Sequence, residues 1–234
     1  MEIQIKLNCP SCQGTDIIKN GRKTYGDKQN YRCKGCGRQF IGDHALDYLG
    51  CHSKLWDLVK KAFVRGCGIR DIADIFSISI GKVLSLLVEH KVYPSPKKSY
   101  YDELEVDELW SFVGRKKKKV WLIYVYHRET GEIVAWIFGK RNLSTAKALR
   151  RKIKELGVSF GTICMDNWES FKNAFQDCEC KIGKYWTKGI EGNNCRIRHR
   201  VRRAFRKSCN FSKKMENHII AFEMAFFYIN FGFI

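Results

Sequence analysis

The sequence predicts a multi-domain chain: a metal-stapled N-terminal module, a small helical module, and a C-terminal α/β domain built on a mixed sheet. Three observations predict it. Two Cys-x-x-Cys pairs, Cys9/Cys12 and Cys33/Cys36, stand near the N-terminus. Apolar residues then recur at helical spacing, and beyond Pro94 and Pro96 they change to the runs and alternations of strands. In the last third, strands alternate with helices, the pattern that gives a sheet parallel neighbours.

In the first module, residues 1–45, each Cys pair turns two thiolates toward one point, and two such knuckles complete a tetrahedral all-sulfur site suited to one structural Zn²⁺. Asn20-Gly21 between them reads as a two-residue hairpin turn. The layout is that of a zinc ribbon, too small to fold without its metal. A redox dithiol reading is disfavoured, because redox pairs do not come as two matched knuckles.

Residues 46–96 form the second module. Leu55, Leu58, Val59 and Ala62 mark one helix. Ile69, Ile72, Ala73 and Phe76 mark a short second one. After Ser77-Ile78-Ser79, a third helix capped by Ser79 carries Val83, Leu84, Leu87 and Val88 as its buried stripe. Two short helices joined by a tight turn read as a helix-turn-helix, with Lys82 and Ser85 on the exposed face of the recognition helix.

The third module covers residues 97–234. Leu104, Val106, Trp110 and Phe112 share one strand parity, and "KVWLIYVYHR" and "GEIVAWIFGK" are buried strands joined through Gly131. A helix follows with Ser144 or Thr145 as its cap and Gly157 as its stop. "SFGTICMD" is a fourth strand ending at Asp166, "NWESFKNAF" a short helix, and "KIGKYW" a fifth strand. A long helix from Lys188 to Lys207 and a final helix capped by Ser212 complete the chain. Three strands in a meander, then helix, strand, helix, strand and helix, is the ribonuclease-H-like layout.

Charge narrows the partner. The net charge is +19, distributed as +6 over 1–96, +4 over 97–180 and +9 over 181–234. A basic chain with 44% hydrophobic residues has packed cores and suits a polyanion, with double-stranded DNA the first candidate. Arg196, Arg198, Arg200, Arg202 and Arg203 form the densest basic run, and Lys116 and Lys117 sit in the turn after the first sheet strand as further backbone contacts. No secretory leader is expected in residues 1–8, and the C-terminal "HIIAFEMAFFYINFGFI", broken by Glu223 and Asn230, reads as a core helix, not a membrane anchor. Eleven mostly scattered cysteines favour a reducing cytoplasm over a disulfide framework.

Phosphoryl transfer with two metal ions needs carboxylates from separate elements to converge. Asp102, Glu103, Glu105, Asp107 and Glu108 crowd the first strand, and spacing cannot choose among them, although Glu105 shares parity with Asp107. Asp166 ends an apolar strand, and Glu191 begins the basic helix, which can pack over the sheet edge. Arg198, two turns after Glu191, shares its face and could grip a phosphate.

"CPSC…CKGCG", "DELWSFVG", "WLIYVYHR", "CMDNWESF" and "IEGNNCRIRHRVRRAFRKSCNFSKKME" together resemble the insertion sequence 1 family of bacterial transposases, over almost the whole chain. The resemblance implies a DDE triad at Asp107, Asp166 and Glu191, holding two Mg²⁺ ions. It implies DNA strand cleavage and strand transfer at terminal inverted repeats and target DNA, in a dimer or higher assembly, in a bacterial cytoplasm beside the nucleoid. The family usually has a bulkier residue where this chain has Gly192, a change that weakens the start of the helix. The competing function is a zinc-dependent DNA-binding repressor with a catalytically dead C-terminal domain.

Overall fold

The computed structural model describes residues 6–23, 27–204 and 210–233, with the backbone alone at 43, 44 and 47. The chain divides into two compact units, Met1–Phe63 with Cys67–Glu89, and Val64–Gly66 with His90–Ile234.

In the first unit β1 (Ile17–Arg22), β2 (Gln29–Cys33) and β3 (Gln39–Ile41) form an antiparallel sheet in that order. Asn20-Gly21 is not its hairpin turn. Both lie inside β1, where Lys19 faces Tyr31 but Arg22 faces Gln29, so β1 holds one extra residue. Gly21 takes the left-handed backbone (φ 69°) that such a bulge uses. The core of this sheet is small: Cys9, Cys33, Phe40 and Ala45, with Tyr31 packed on Phe40.

Short helices follow: α1 (Gly42–Asp47), α2 (Leu55–Val64), α3 (Ile69–Ile75) and α4 (Ile80–Glu89). Ser53, just before α2, donates its backbone N–H to the carbonyl of Pro10 (3.0 Å) and its hydroxyl to that of Ser11 (2.7 Å), tying the helices to the first cysteine knuckle. Between α3 and α4 the chain turns through Ser77 (φ 49°) and the buried Ile78. Ser79 caps α4, accepting from Lys82 N at 3.1 Å. The buried stripe of α4 is Val83, Leu86 and Leu87, not the expected Val83, Leu84, Leu87 and Val88. Those three span about 100° of helix, and Val88, beyond them, is 37% exposed.

The second unit is a five-stranded sheet in the order β6-β5-β4-β7-β8. Its strands are β4 (Tyr100–Phe112), β5 (Lys119–His127), β6 (Glu132–Gly139), β7 (Ser159–Met165) and β8 (Glu179–Ile182). The first three make an antiparallel meander, and β7 and β8 run parallel to β4. The last strand stops at Ile182, short of the expected "KIGKYW", and Lys184–Thr187 form a 3-10 turn. One face is covered by α5 (Leu143–Glu155) and α6 (Glu169–Ala174), whose Ala146, Leu149, Ile153, Phe171 and Ala174 meet Leu104, Val106 and Ile163 from the strands. Asn142, not Ser144 or Thr145, caps α5: its side chain accepts from Thr145 N, and the Thr145 hydroxyl itself donates to Asn142.

The other face carries α7 (Lys188–Arg200) and α8 (Met215–Phe231). Gly192 does not delay α7, which is helical from Lys188. A Cβ at Gly192 would meet nothing within 4 Å, so the position is open to solvent. The helix stops at Arg200 instead of running on. Val201 is extended, and a 3-10 turn at Arg202–Ala204 buries both Val201 and Ala204. The remainder of the expected helix, 205–207, lies outside the described residues.

Ser212 is not the α8 cap. It is buried, bridges to Val113 and its hydroxyl accepts from Arg203 Nη1, while the helix begins three residues later. Asn230, which interrupts the apolar C-terminal stretch, has a structural use. Its amide accepts from Ile133 N (2.8 Å) and donates to Ile133 O (2.9 Å), pairing the outer edge of β6. Among the described residues, no helix is long and apolar enough to cross a membrane.

His218 of α8 is fully buried, with Nε2 2.8 Å from Ser111 Oγ on β4. Burial, with the Arg203 charge adding to it, holds its pKa down to about 4. The folded state therefore binds its proton less well than the unfolded chain, so stability is full above pH ~6.5 and is lost as pH falls toward 4. Denaturant unfolding of the native chain and of His218→Asn across pH 4–7 checks this. The acid loss should shrink in the variant by about 2–3 kcal/mol.

Candidate functional site

Two clusters of metal-ligand residues form among the described side chains: Cys9, Cys12, Cys33 and Cys36 in the first unit, and Asp107, Glu108 and Asp166 in the second. In each, one ligand atom per residue lies within 4.8 Å of the others.

The cysteine cluster is built by two matching turns. Gln13 N bonds Cys9 O, and Gly37 N bonds Cys33 O, both at 2.9 Å, and both closing residues are left-handed (φ 63° and 73°). Sulfurs pair across the turns, Cys9 with Cys36 and Cys12 with Cys33, each at 3.6 Å. A tetrahedral site with Zn–S bonds of about 2.3 Å puts its sulfurs ~3.8 Å apart, so four thiolates at this spacing fit zinc.

The acid cluster stands at a notch in the sheet. The parallel pairing of β4 with β7 ends at Val106 opposite Met165. Asp107 and Asp166 are the next residues of the two neighbouring strands. Strand parity sends Asp107 and Glu108 to opposite faces, yet both reach Asp166 where β4 has lost its neighbour. Burial pushes the Asp107 carboxyl up to about 7, and the Glu108 and Asp166 charges push the same way. Glu108 is also raised by burial, opposed by Arg141, which contacts its Oε1 at 2.7–2.8 Å, while its Oε2 is buried without a partner among the described residues. Crowded, desolvated, partly orphaned carboxylate oxygens are the donor set a hard divalent cation satisfies.

Glu191 does not join this cluster. It is exposed on α7, which lies across β4 and β5 and not over the sheet edge. Asn194, one turn further on, contacts Asp107, with Nδ2 donating to Oδ2 at 2.6 Å. Arg198, on the same side of the helix, is half-buried and its Nε is buried without a partner among the described residues.

Glu105, the alternative first ligand, is otherwise engaged. It is 1% exposed, and its Oε2 accepts from Ile190 N at 2.6 Å, capping an α7 N-terminus that has no side-chain cap of its own. Gly189 makes room for it: a Cβ there would stand 2.6 Å from Glu105 Oε1.

The basic run separates by role. Arg196 is exposed on α7. Arg200 and Arg202 donate to the carbonyls of Val64 (3.3 Å) and Gly66 (2.8 Å), and Arg200 also lies over the Tyr228 ring. Arg203 is drawn inward to Ser212 Oγ and Asn217 O, and burial lowers its pKa to about 10. Lys116 and Lys117 are exposed at the β4–β5 hairpin tip, whereas Lys82 and Ser85 are half-buried on α4, where the Ser85 hydroxyl bonds Lys82 O. Trp168 packs edge-on to Phe171 beneath the Arg141 guanidinium. Sequence reading missed the exposed Tyr185–Trp186 pair with Lys188 and Lys181 over its rings, and the buried contacts of Asn194, for which the helical stripe gives only a faint signal.

A zinc ribbon followed by a ribonuclease-H-like sheet with acids at its central notch defines the class. A family model for the IS1 transposase matches residues 103–229, and one for the InsA N-terminal domain, a zinc ribbon, matches residues 4–37. The chain belongs to the IS1 transposase family. The insertion element iso-IS1n protein InsB of Shigella dysenteriae is 36% identical over 114 residues, 49% of this chain and 86% of that protein. The IS1 2 protein InsB of Escherichia coli K12 is 33% identical, again over 49% of this chain and over 67% of that one. Among solved structures, the HTLV-2 integrase catalytic core domain in complex with magnesium matches at TM-score 0.39 and 16% identity, over 58% of this chain and 87% of that one. A simian T-cell lymphotropic virus intasome chain matches at 0.43 and 16%, over 74% and 68%.

Purified, reduced protein should carry about one Zn per chain by elemental analysis, and Cys33→Ser should lose both the metal and the fold of the ribbon. Zinc-free protein with an intact ribbon would contradict this.

Proposed function

We propose that the chain is a DNA transposase that binds the terminal inverted repeats of its element and carries out strand cleavage and strand transfer into target DNA. The observation that supports this most is the meeting of Asp107 and Asp166 at the β4–β7 notch in a chain of this family. Glu191, exposed on α7 and apart from the other two acids, would supply the third carboxylate, and the three would hold two Mg²⁺ ions. When bound, the ions lower the pKa of the attacking water or 3′-hydroxyl and neutralise charge on the phosphate and leaving oxygen.

The rest falls to the chain's own side chains. Arg196 and the hairpin lysines Lys116 and Lys117 bind phosphates and fix the register of the duplex. Arg198, with its Nε unpartnered among the described residues, holds a phosphate near the scissile bond. The zinc ribbon (1–45) and helix-turn-helix (46–96) read the ends, with Lys82 and Ser85 facing the groove, while residues 97–234 perform the chemistry. Two ends must be joined, so the working form is a dimer or larger assembly on DNA.

A second reading makes Glu108 the third ligand. It is favoured by the closeness of Glu108 to Asp107 and Asp166 and by its orphaned oxygen. Strand-transfer assays on an end-bearing duplex decide between them. Asp107→Asn, Asp166→Asn and Glu191→Gln should each abolish transfer while end binding persists, and Glu108→Gln and Glu105→Gln should keep most activity. A dead Glu108→Gln beside an active Glu191→Gln would assign the ligand to Glu108. Activity in all three triad variants would overturn the mechanism, whereas end binding by the native chain with no strand transfer would favour a DNA-binding repressor.

For the basic surface, Arg196→Ala should weaken DNA binding evenly across sequences and reduce the salt slope by about one unit. Arg203→Ala should instead lower thermal stability, because its guanidinium is spent on Ser212 and Asn217.

A further inference from the structure

Beneath Asp107 lies a buried polar chain that metal holding and DNA contact do not use. Tyr124 of β5 and Asn193 of α7 are within 1% of fully buried, and Asn194 is 7% exposed. Asn193 Nδ2 stands 3.4 Å from the Tyr124 hydroxyl oxygen, and the Tyr124 hydroxyl is 2.9 Å from Asn194 Oδ1. Asn194 Nδ2 is 2.6 Å from Asp107 Oδ2.

The donor sequence follows from the distances. With Asn193 Nδ2 donating to the phenol oxygen, the phenol proton has two acceptors, the Ile190 carbonyl at 3.2 Å and the nearer Asn194 Oδ1 at 2.9 Å. With its carbonyl so occupied, the Asn194 amide must turn its N–H toward Asp107. A flipped amide would set two oxygens against each other, Oδ1 against the half-buried carboxylate. Each bond polarises the next, and the chain ends on an anion, the arrangement that strengthens the last bond most.

We propose that Asn194 is a positioning residue for strand transfer: it fixes one oxygen of Asp107 so that the other faces the cation site, and Tyr124 fixes the amide of Asn194. Because Asn194 lies one turn after Glu191 on α7, the same bond sets where Glu191 stands relative to Asp107. The inference rests on the reading of Asp107 as a cation-holding carboxylate. Partners of this kind, one bond removed from a metal, typically change its affinity 10–100-fold.

The test measures Mn²⁺ binding to the full-length, zinc-loaded protein without DNA by calorimetry, and then strand transfer as a function of Mg²⁺ concentration. Asn194→Ala should weaken Mn²⁺ about tenfold or more and move the Mg²⁺ midpoint upward, with transfer returning toward the native rate at high Mg²⁺. Tyr124→Phe, which leaves Asp107 untouched and removes only a hydroxyl, should show a smaller shift in the same direction. Recovery at high Mg²⁺ separates positioning from general damage. Native Mn²⁺ affinity and an unmoved Mg²⁺ midpoint in folded Asn194→Ala would overturn the inference. If Asn194→Ala does not fold, the same null result in Tyr124→Phe would overturn it. Asp107→Asn is the control for the underlying reading. Loss of Mn²⁺ there with none in the other two sinks the positioning role alone, whereas unchanged binding in Asp107→Asn sinks the reading of Asp107 itself.

Discussion

The second unit depends on a match of lengths between a strand and a helix. Glu105 and Asp107 are two residues apart on β4 and face the same way, about 6.8 Å along the strand. Their partners on α7, Ile190 and Asn194, are four residues apart, about 6 Å along the helix. The two carboxylates therefore clamp one helix at two points, the first at its N-terminal dipole and the second a turn later. The clamp locates α7, and with it Glu191, Arg196 and Arg198, against the strand that carries the acids. It uses Glu105 in a capping role and leaves Asp107 with one oxygen to spare.

The same strand bears the second constraint. β4 pairs with β5 along Glu105–Phe112 but with β7 only as far as Val106. The part of β4 beyond β7 is an open notch inside an otherwise continuous sheet, the one place where acids can gather without competing with a neighbouring strand. Burying them there is unfavourable in the absence of counter-charge and crowding adds to it, both pushing the carboxyls of Asp107 and Glu108 upward. A scaffold packed on both faces, by α5 and α6 on one side and α7 and α8 on the other, holds them in place despite that cost.

How far the sequence disclosed this depends on the kind of information each residue carries. Local signals sufficed for the cysteine knuckles, for Ser79 as a cap, for Gly131 and Gly157 at turns, and for the order of strands and helices, because each is written in a few adjacent residues. They misread Asn20-Gly21, whose positive-φ glycine served a bulge as well as it would have served a turn. They placed the α5 and α8 caps wrongly: three polar residues in four positions, Asn142, Ser144 and Thr145, competed for the first, and Ser212 is drawn away by its contacts with Val113 and Arg203. Five acids in seven positions looked alike in sequence. What separates them is which neighbour each meets: a helix N-terminus for Glu105, an asparagine amide for Asp107, a guanidinium for Glu108. The arginine run likewise read as one surface, and only packing shows that Arg203 faces inward.

The two hydrogen bonds from Ser53 to the carbonyls of Pro10 and Ser11 have a wider meaning. Those carbonyls belong to the loop between Cys9 and Cys12, two of the four clustered cysteines, and their direction is tied to the turn that brings the thiols together. The helices that follow are thus hung from a peg that belongs to the four-cysteine cluster. On the reading of this cluster as a zinc site, zinc supply becomes an input to the geometry of a helical region that lies outside the four-cysteine cluster.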